Sequence, residues 1–286
     1  MSNFLQRTLT TIIGGAFMIA MILLGREFLI GVLLFAAVVG YRELSAAFGI
    51  READRAISPM EIAAYIFIFL WYAVLEVETL GLIDADMLRL IQICVIVLML
   101  MAHMSVYVFT FPRYDATRTI SSVFSVIYCP VMLSYVYMIR AMDRGIVLVW
   151  MVIICSWICD ISAYLIGMKF GRHKMSPVLS PKKSVEGAIG GVCGSVIVGC
   201  VYAAFLIAPS SDAPVWETIV TIAVICVCGA LISMVGDLAA SAIKRNHDIK
   251  DYGNLLPGHG GIMDRFDSVI FVAPVVYMLF KFMLFN

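Results

Sequence analysis

Apolar runs long enough to cross a lipid bilayer recur through this chain, and they decide its fold class before any single residue does. A helix needs about twenty apolar residues to span roughly 30 Å of hydrocarbon. Nine stretches meet that requirement loosely, at roughly 8–25, 27–41, 61–79, 87–111, 119–139, 145–168, 186–208, 215–235 and 268–285. Hydrophobic residues fill 62% of the 286 positions and charged ones 14%, with a mean hydropathy of +0.99. Soluble domains sit nearer 45–50% and about 25%. The expectation is an all-α, polytopic integral membrane protein with about nine transmembrane helices, forming a single membrane-embedded domain over residues 1–286. The first run follows Arg7 as a signal peptide would, but it is long, lacks a small-residue cleavage site and leads directly into the second run, so it is expected to stay in the mature protein.

Orientation follows from the positions of Lys and Arg in short loops. Arg7, then Arg42, Arg51 and Arg55, then Arg113 and Arg118, then Lys169 to Lys183, then Lys244 to Arg265 mark every second connection. The intervening loops at 80–86 and 209–214 carry neither Lys nor Arg, whereas Arg140 and Arg144 fall in a loop expected outside. With nine spans, this alternation predicts a cytosolic N-terminus. A net charge of zero, with no basic tail or acidic run, gives nucleic acid no foothold. All eight cysteines lie within apolar runs and lack zinc-site spacing, so they read as small packing residues.

Polar chemistry is concentrated in one segment. Residues 236–267 hold five Asp, four Lys or Arg and two His between two spans. Charge density alone equally describes a solvated loop, so spacing has to discriminate. Asp237, Ser241 and Lys244 fall at i, i+4 and i+7, sharing one face if the helix continues, with Arg245 beside them. A carboxylate so near the end of an apolar run is costly, and Mg²⁺ takes one or two carboxylates together with substrate phosphate oxygens. Asp237 is therefore a candidate metal ligand, the alternative being a helix end satisfied by local ion pairing. Pro257-Gly258-His259-Gly260-Gly261 allows a tight turn able to cradle phosphate. Asp264 and Asp267 follow at i and i+3, placed either to cap the last helix or to bind metal.

The run Ser241-Ala242-Ile243-Lys244-Arg245, then Lys250-Asp251, Gly253 and Leu256 through Asp267, resembles the signature of phosphatidate cytidylyltransferases, also called CDP-diacylglycerol synthases. A second stretch is similar too: Asp160, Ala163, Tyr164 and Gly167, then Phe170-Gly171-Arg172, then Ser180-Pro181-Lys182-Lys183-Ser184-Val185-Glu186-Gly187. Asp160 and Tyr164 lie four apart on one helix face. Asp160 also suits a polar bridge between helices, and Lys182 and Lys183 also suit topology alone. Residues 1–150 form N-terminal helices without a recognised motif, and 151–286 would supply the catalytic helices and cytosolic loops.

The resemblance implies that CTP and phosphatidic acid give CDP-diacylglycerol and pyrophosphate, with Mg²⁺ as cofactor and a second cation conceivable. It further implies a homodimer. The nine-span design without a processed targeting segment suits a bacterial cytoplasmic (inner) membrane, an organelle being the alternative, and the Lys and Arg pattern places both motif stretches on the cytosolic side. Asp237 and Asp264 would hold metal, with Asp267 a third carboxylate and Lys244 a catalytic cation. Arg245, Lys250, Arg265, Lys182 and Lys183 would meet phosphates, and Ser241, Gly260, Gly261, Asp160 and Tyr164 would help to bind substrate. His259 would either contact phosphate or shape its loop.

Two rival classes are weaker. CDP-alcohol phosphotransferases carry a multi-aspartate helix pattern, beginning Asp-Gly and followed by Ala-Arg, that is absent here. An ion-coupled transporter would place acidic residues near mid-membrane. A CTP-dependent lipid kinase is chemically closer and would release CDP in place of pyrophosphate.

Overall fold

The structure is a computed structural model that describes residues 14–15, 18–51, 57–210, 213–255 and 260–283. Among the described residues, eight helices are long and apolar enough to cross a membrane. They are α1 Arg26–Ala47, α2 Pro59–Thr79, α3 Ala85–Phe109, α4 Ala116–Ala141, α5 Gly145–Phe170, α6 Val185–Ile207, α7 Val215–Asn246 and α8 Met263–Met283. The chain is thus a polytopic, all-α membrane protein. Of its predicted first run, 8–25, residues 14–15 and 18–25 are described, with 18–24 helical, and the rest lies outside the described residues. The largest outward shifts are at three ends: α1 continues past 41, α7 past 235, and α8 begins before 268. Hydropathy marks where a helix meets lipid, whereas the hydrogen-bond ladder continues into polar sequence. One element is an addition to the all-α expectation, an antiparallel hairpin of β1 Lys174–Ser176 and β2 Ser180–Ser184.

Helix starts follow local chemistry. The Ser58 hydroxyl accepts from the Glu61 amide at 3.2 Å, and the Glu61 carboxylate accepts from the Ser58 amide at 2.8 Å, a reciprocal cap with Pro59 opening α2. Asp115 caps α4 through the Arg118 amide at 2.7 Å, and Ser184 caps α6 through the Gly187 amide at 3.2 Å. Three spans contain a wider π turn, at Ile127–Val131, Ile154–Ile158 and Ala203–Ile207. Pro130 accounts for the first, since it has no N–H to donate to the ladder.

The chain forms two compact units, one of Met1–Tyr137 with His247–Arg265, the other of Met138–Asn246 with Phe266–Asn286. In the first, polar side chains join helices inside the apolar body. Tyr41 and Ser122 hydroxyls lie 2.8 Å apart, His103 Nε2 is 3.1 Å from Ser122 Oγ, and Trp71 Nε1 donates to Ser134 Oγ at 3.0 Å. In hydrocarbon such bonds hold spans together where burial of apolar surface supplies no preference. Helix α3 turns Leu90, Ile93, Val97, Leu98 and Met101 outward, a surface suited to lipid.

In the second unit, α5 and α6 pack almost backbone to backbone. A Cβ added at Gly187 would lie 2.8 Å from the Ala163 carbonyl, at Gly190 2.5 Å from Ile166 Cβ, and at Gly191 3.0 Å from the Cys159 carbonyl. At Gly194 it would strike Ser162. Small residues at this spacing let membrane helices approach closely. The cysteines behave partly as expected: Cys129, Cys155, Cys159 and Cys226 are buried, but Cys94 and Cys193 are exposed on helix surfaces.

Candidate active site

The second unit gathers most of the predicted polar residues. Asp160 sits on α5 directly after the π turn Ile154–Ile158, on a half-buried face. Such turns re-aim the residues that follow them and recur at functional sites. The Asp160 carboxylate accepts a hydrogen bond from the Ser268 hydroxyl and lies within the electrostatic reach of Asp237 and Lys183. Asp237 is on α7, where Lys183 of β2 forms an ion pair with its Oδ2. Because α7 does continue as helix to Asn246, Asp237, Ser241 and Lys244 share one face, as their spacing predicts. Asp267, on α8, accepts from the Ser268 amide at 2.7 Å and is within the electrostatic reach of Asp237, Lys244 and Asp160. Three carboxylates and two lysines, drawn from α5, β2, α7 and α8, thus form one charge cluster.

A cavity of about 410 Å³ opens on this cluster. Its lining includes Asp160, Tyr164, Lys182, Lys183 and Asp237 together with Met168, Met175 and Met234. The volume falls within the range of small-ligand sites, and the lining combines charged with apolar side chains. Tyr164 is 68% exposed, so its ring lies at the outer edge. The hairpin brings its lysines to the cavity because its base is clamped: Glu186 accepts from the Arg172 amide at 3.0 Å and the His173 amide at 3.2 Å, and lies 2.6 Å from His173 Nδ1. Arg245 is exposed in the last turn of α7.

The remaining predicted residues belong to the first unit. Asp264, in the first turn of α8, accepts through Oδ2 from the Tyr252 amide at 2.8 Å and the Gly261 amide at 3.0 Å. Gly260 has φ of +79°, and a Cβ there would lie 2.7 Å from the Asp264 carboxylate. Lys250 and Arg265 are exposed on the same segment. His259, with Pro257 and Gly258, lies outside the described residues. A residue that the sequence does not single out also joins this group. Glu43 of α1, only 8% exposed, accepts from the Ile262 amide at 3.0 Å through Oε1 and from the Met263 amide at 2.9 Å through Oε2.

Comparison with known proteins bears directly on this arrangement. A family model described as the Cytidylyltransferase family matches residues 5–283. The chain belongs to the cytidylyltransferase family. Similar proteins named phosphatidate cytidylyltransferase include one from Bacillus subtilis, 32% identical over 197 residues, covering 68% of this chain and 70% of the relative. Another, from Synechocystis, is 43% identical over 133 residues, covering 46% of this chain and 43% of the relative. A third, from Thermotoga maritima, is 39% identical over 147 residues, covering 49% and 51%.

For a cytidylyltransferase the site must accommodate polyphosphate charge, and the residues present suit a hard divalent cation as well. Carboxylate oxygens are the donors such ions prefer. Among the described residues, no three acidic, His or Cys side chains converge into a closed metal cage. Mg²⁺ does not require one, since it keeps waters and completes its shell with substrate phosphates. Gly260 and Gly261 have a further structural reason: the Gly261 amide donates to Asp264, the Ile262 and Met263 amides that follow donate to Glu43, and the missing side chains make room for those carboxylates. Gly260→Ala is therefore expected to strain the turn or displace Asp264, at a cost of about 1–3 kcal/mol. Turnover should fall about ten-fold for each ~1.4 kcal/mol expressed in the transition state. Steady-state assay beside thermal melting in detergent checks this, and an unchanged rate would show that the turn tolerates the shift.

Proposed function

We propose that this protein transfers CMP from CTP to phosphatidic acid, releasing pyrophosphate and forming CDP-diacylglycerol, at the cytosolic boundary of a bacterial inner membrane. The observation carrying this reading is the charge cluster of Asp160, Lys183, Asp237, Lys244 and Asp267 beside a cavity lined by both charged and apolar side chains. Family membership and the names of the similar proteins agree with it. The lysine-rich hairpin and the Lys244–Arg265 segment support a cytosolic site, because positively charged loops favour that side.

In this reaction a phosphate oxygen of the lipid attacks the α-phosphorus of CTP. A new P–O bond forms as the bond to the β-phosphate oxygen breaks, and pyrophosphate departs with that electron pair. The nucleophile is already anionic, so no serine, cysteine or histidine has to be activated. What the protein supplies is charge neutralisation and alignment. Lys182 and Lys183, on the cavity wall, are suited to holding phosphates, with Lys183 exchanging its Asp237 partner for phosphate oxygens when substrate enters. Lys244 and Arg245, at the end of α7, would neutralise charge growing on the leaving group, with Lys250 and Arg265 as further phosphate contacts. Asp237 is the proposed Mg²⁺ ligand of the cluster, with Asp267 orienting or completing the set; the resemblance assigns metal binding to Asp264 as well. When bound, the cation neutralises phosphate charge and polarises the reacting phosphoryl group.

The test is Mg²⁺-dependent product release from CTP by detergent-purified protein, with and without phosphatidic acid. Pyrophosphate released only when the lipid is present is the expected result. Release of CDP would convert the reading to a lipid kinase, and no nucleotide turnover by folded protein would overturn both.

A further inference from the structure

The signature segment is held in shape by a carboxylate from far away in the chain. Glu43 lies 219 and 220 positions before the amides of Ile262 and Met263 that it accepts from, and both its oxygens are used. These amides open α8, where unpaired N–H groups and the helix dipole favour an anion. The fit is close from the other side as well. A Cβ added at Gly253 or Gly261 would collide with the Glu43 carboxylate, so the segment folds around this side chain at two separate points. One turn further along α1's end, the Phe48 ring meets His247 edge-on with centroids 4.9 Å apart, fixing the start of the same segment.

Glu43 also bears on Asp264. The Gly261 amide, held by Asp264 Oδ2, immediately precedes the two amides held by Glu43, and Tyr252, the neighbour of Gly253, gives its amide to Asp264. Two carboxylates therefore share one short stretch of backbone, and the setting of Asp264 depends on the path that Glu43 imposes. We infer that Glu43 is a positioning residue for the reaction, a template at the end of α1 that fixes the backbone at 252–253 and 260–263 and so sets the orientation of Asp264. The inference rests on the cytidylyltransferase reading for its catalytic consequence, but the template itself does not.

The experiment compares wild type with Glu43→Gln in the full, detergent-purified chain. Glutamine keeps the size but offers one acceptor where two are needed, so one buried charge-assisted bond is lost. Hydrogen–deuterium exchange of residues 252–263 should accelerate about ten-fold or more, while exchange in α2 and α3 stays unchanged. In the same preparation kcat should fall about ten-fold or more with the KM for CTP within about three-fold, the pattern of a misplaced group acting in the transition state. Unchanged exchange in 252–263, equal acceleration across α2 and α3, or unchanged kcat despite a looser segment would each overturn the proposal. Should Glu43→Gln fail to fold, Gly253→Ala disturbs the same contact from the segment's side and is read identically. Failure of wild type to turn over CTP would sink the enzymatic reading alone, and the exchange comparison would still decide whether Glu43 is the template.

Discussion

Asp237→Asn should reduce phosphatidate-dependent pyrophosphate release about 10³-fold or more, corresponding to ~4 kcal/mol of lost transition-state stabilisation at a metal–phosphate centre. The substitution preserves shape but removes the charge that faces Lys183 and that shares the cluster with Asp160 and Asp267. The protein should still fold, because Lys183 retains Asp160 as a nearby counter-charge and the apolar contacts of α7 are untouched. Pyrophosphate assay beside thermal melting separates the two effects. Turnover within ten-fold of wild type, with melting unchanged, would remove Asp237 from the proposed metal site and shift the centre of the cluster towards Asp160 and Asp267.

Asp264 permits a sharper comparison, because its structural and chemical tasks use different properties of the same side chain. Its Oδ2 accepts two backbone amides, which an asparagine oxygen can also do, whereas binding a cation calls for the charge. Asp264→Asn is thus expected to lower turnover about 10³-fold with the segment still ordered. Asp264→Ala should match that loss and also loosen residues 252–261, seen as faster hydrogen exchange. If the asparagine variant retains Mg²⁺-dependent activity, Asp264 is a scaffold residue only, and the glycine turn exists to serve that scaffold.

Much of this architecture is legible in the sequence because lipid imposes a simple code. Runs of apolar residues give the spans, and the i, i+4, i+7 spacing of Asp237, Ser241 and Lys244 anticipates that α7 extends beyond its apolar part. What escapes is set by longer-range or subtler causes. The hairpin at 174–184 is short and lysine-rich, so it reads as a loop, and only the Glu186 clamp and the Ser184 cap give it shape. The π turn before Asp160 shifts the register of α5, so counting residues on a regular helix misassigns the faces downstream of it. Glu43 is the plainest case. Alone it looks like an ordinary charge near a helix end, and nothing within reach in the chain hints at its partners at Ile262 and Met263. The missing side chains at Gly253 and Gly261 are the local trace of what fills the space.

The seam between α5 and α6 has a consequence for how a two-tailed substrate reaches its reacting phosphate. Where backbones touch across Gly187, Gly190, Gly191 and Gly194, there is no width for an acyl chain to slide between the helices. For a lipid diffusing in the plane of the bilayer that seam is a wall, and the lateral doorway has to lie on another side of the cavity. Tyr164 and Met168 of α5 are both exposed and both line the cavity, so on their side it is not closed by that seam.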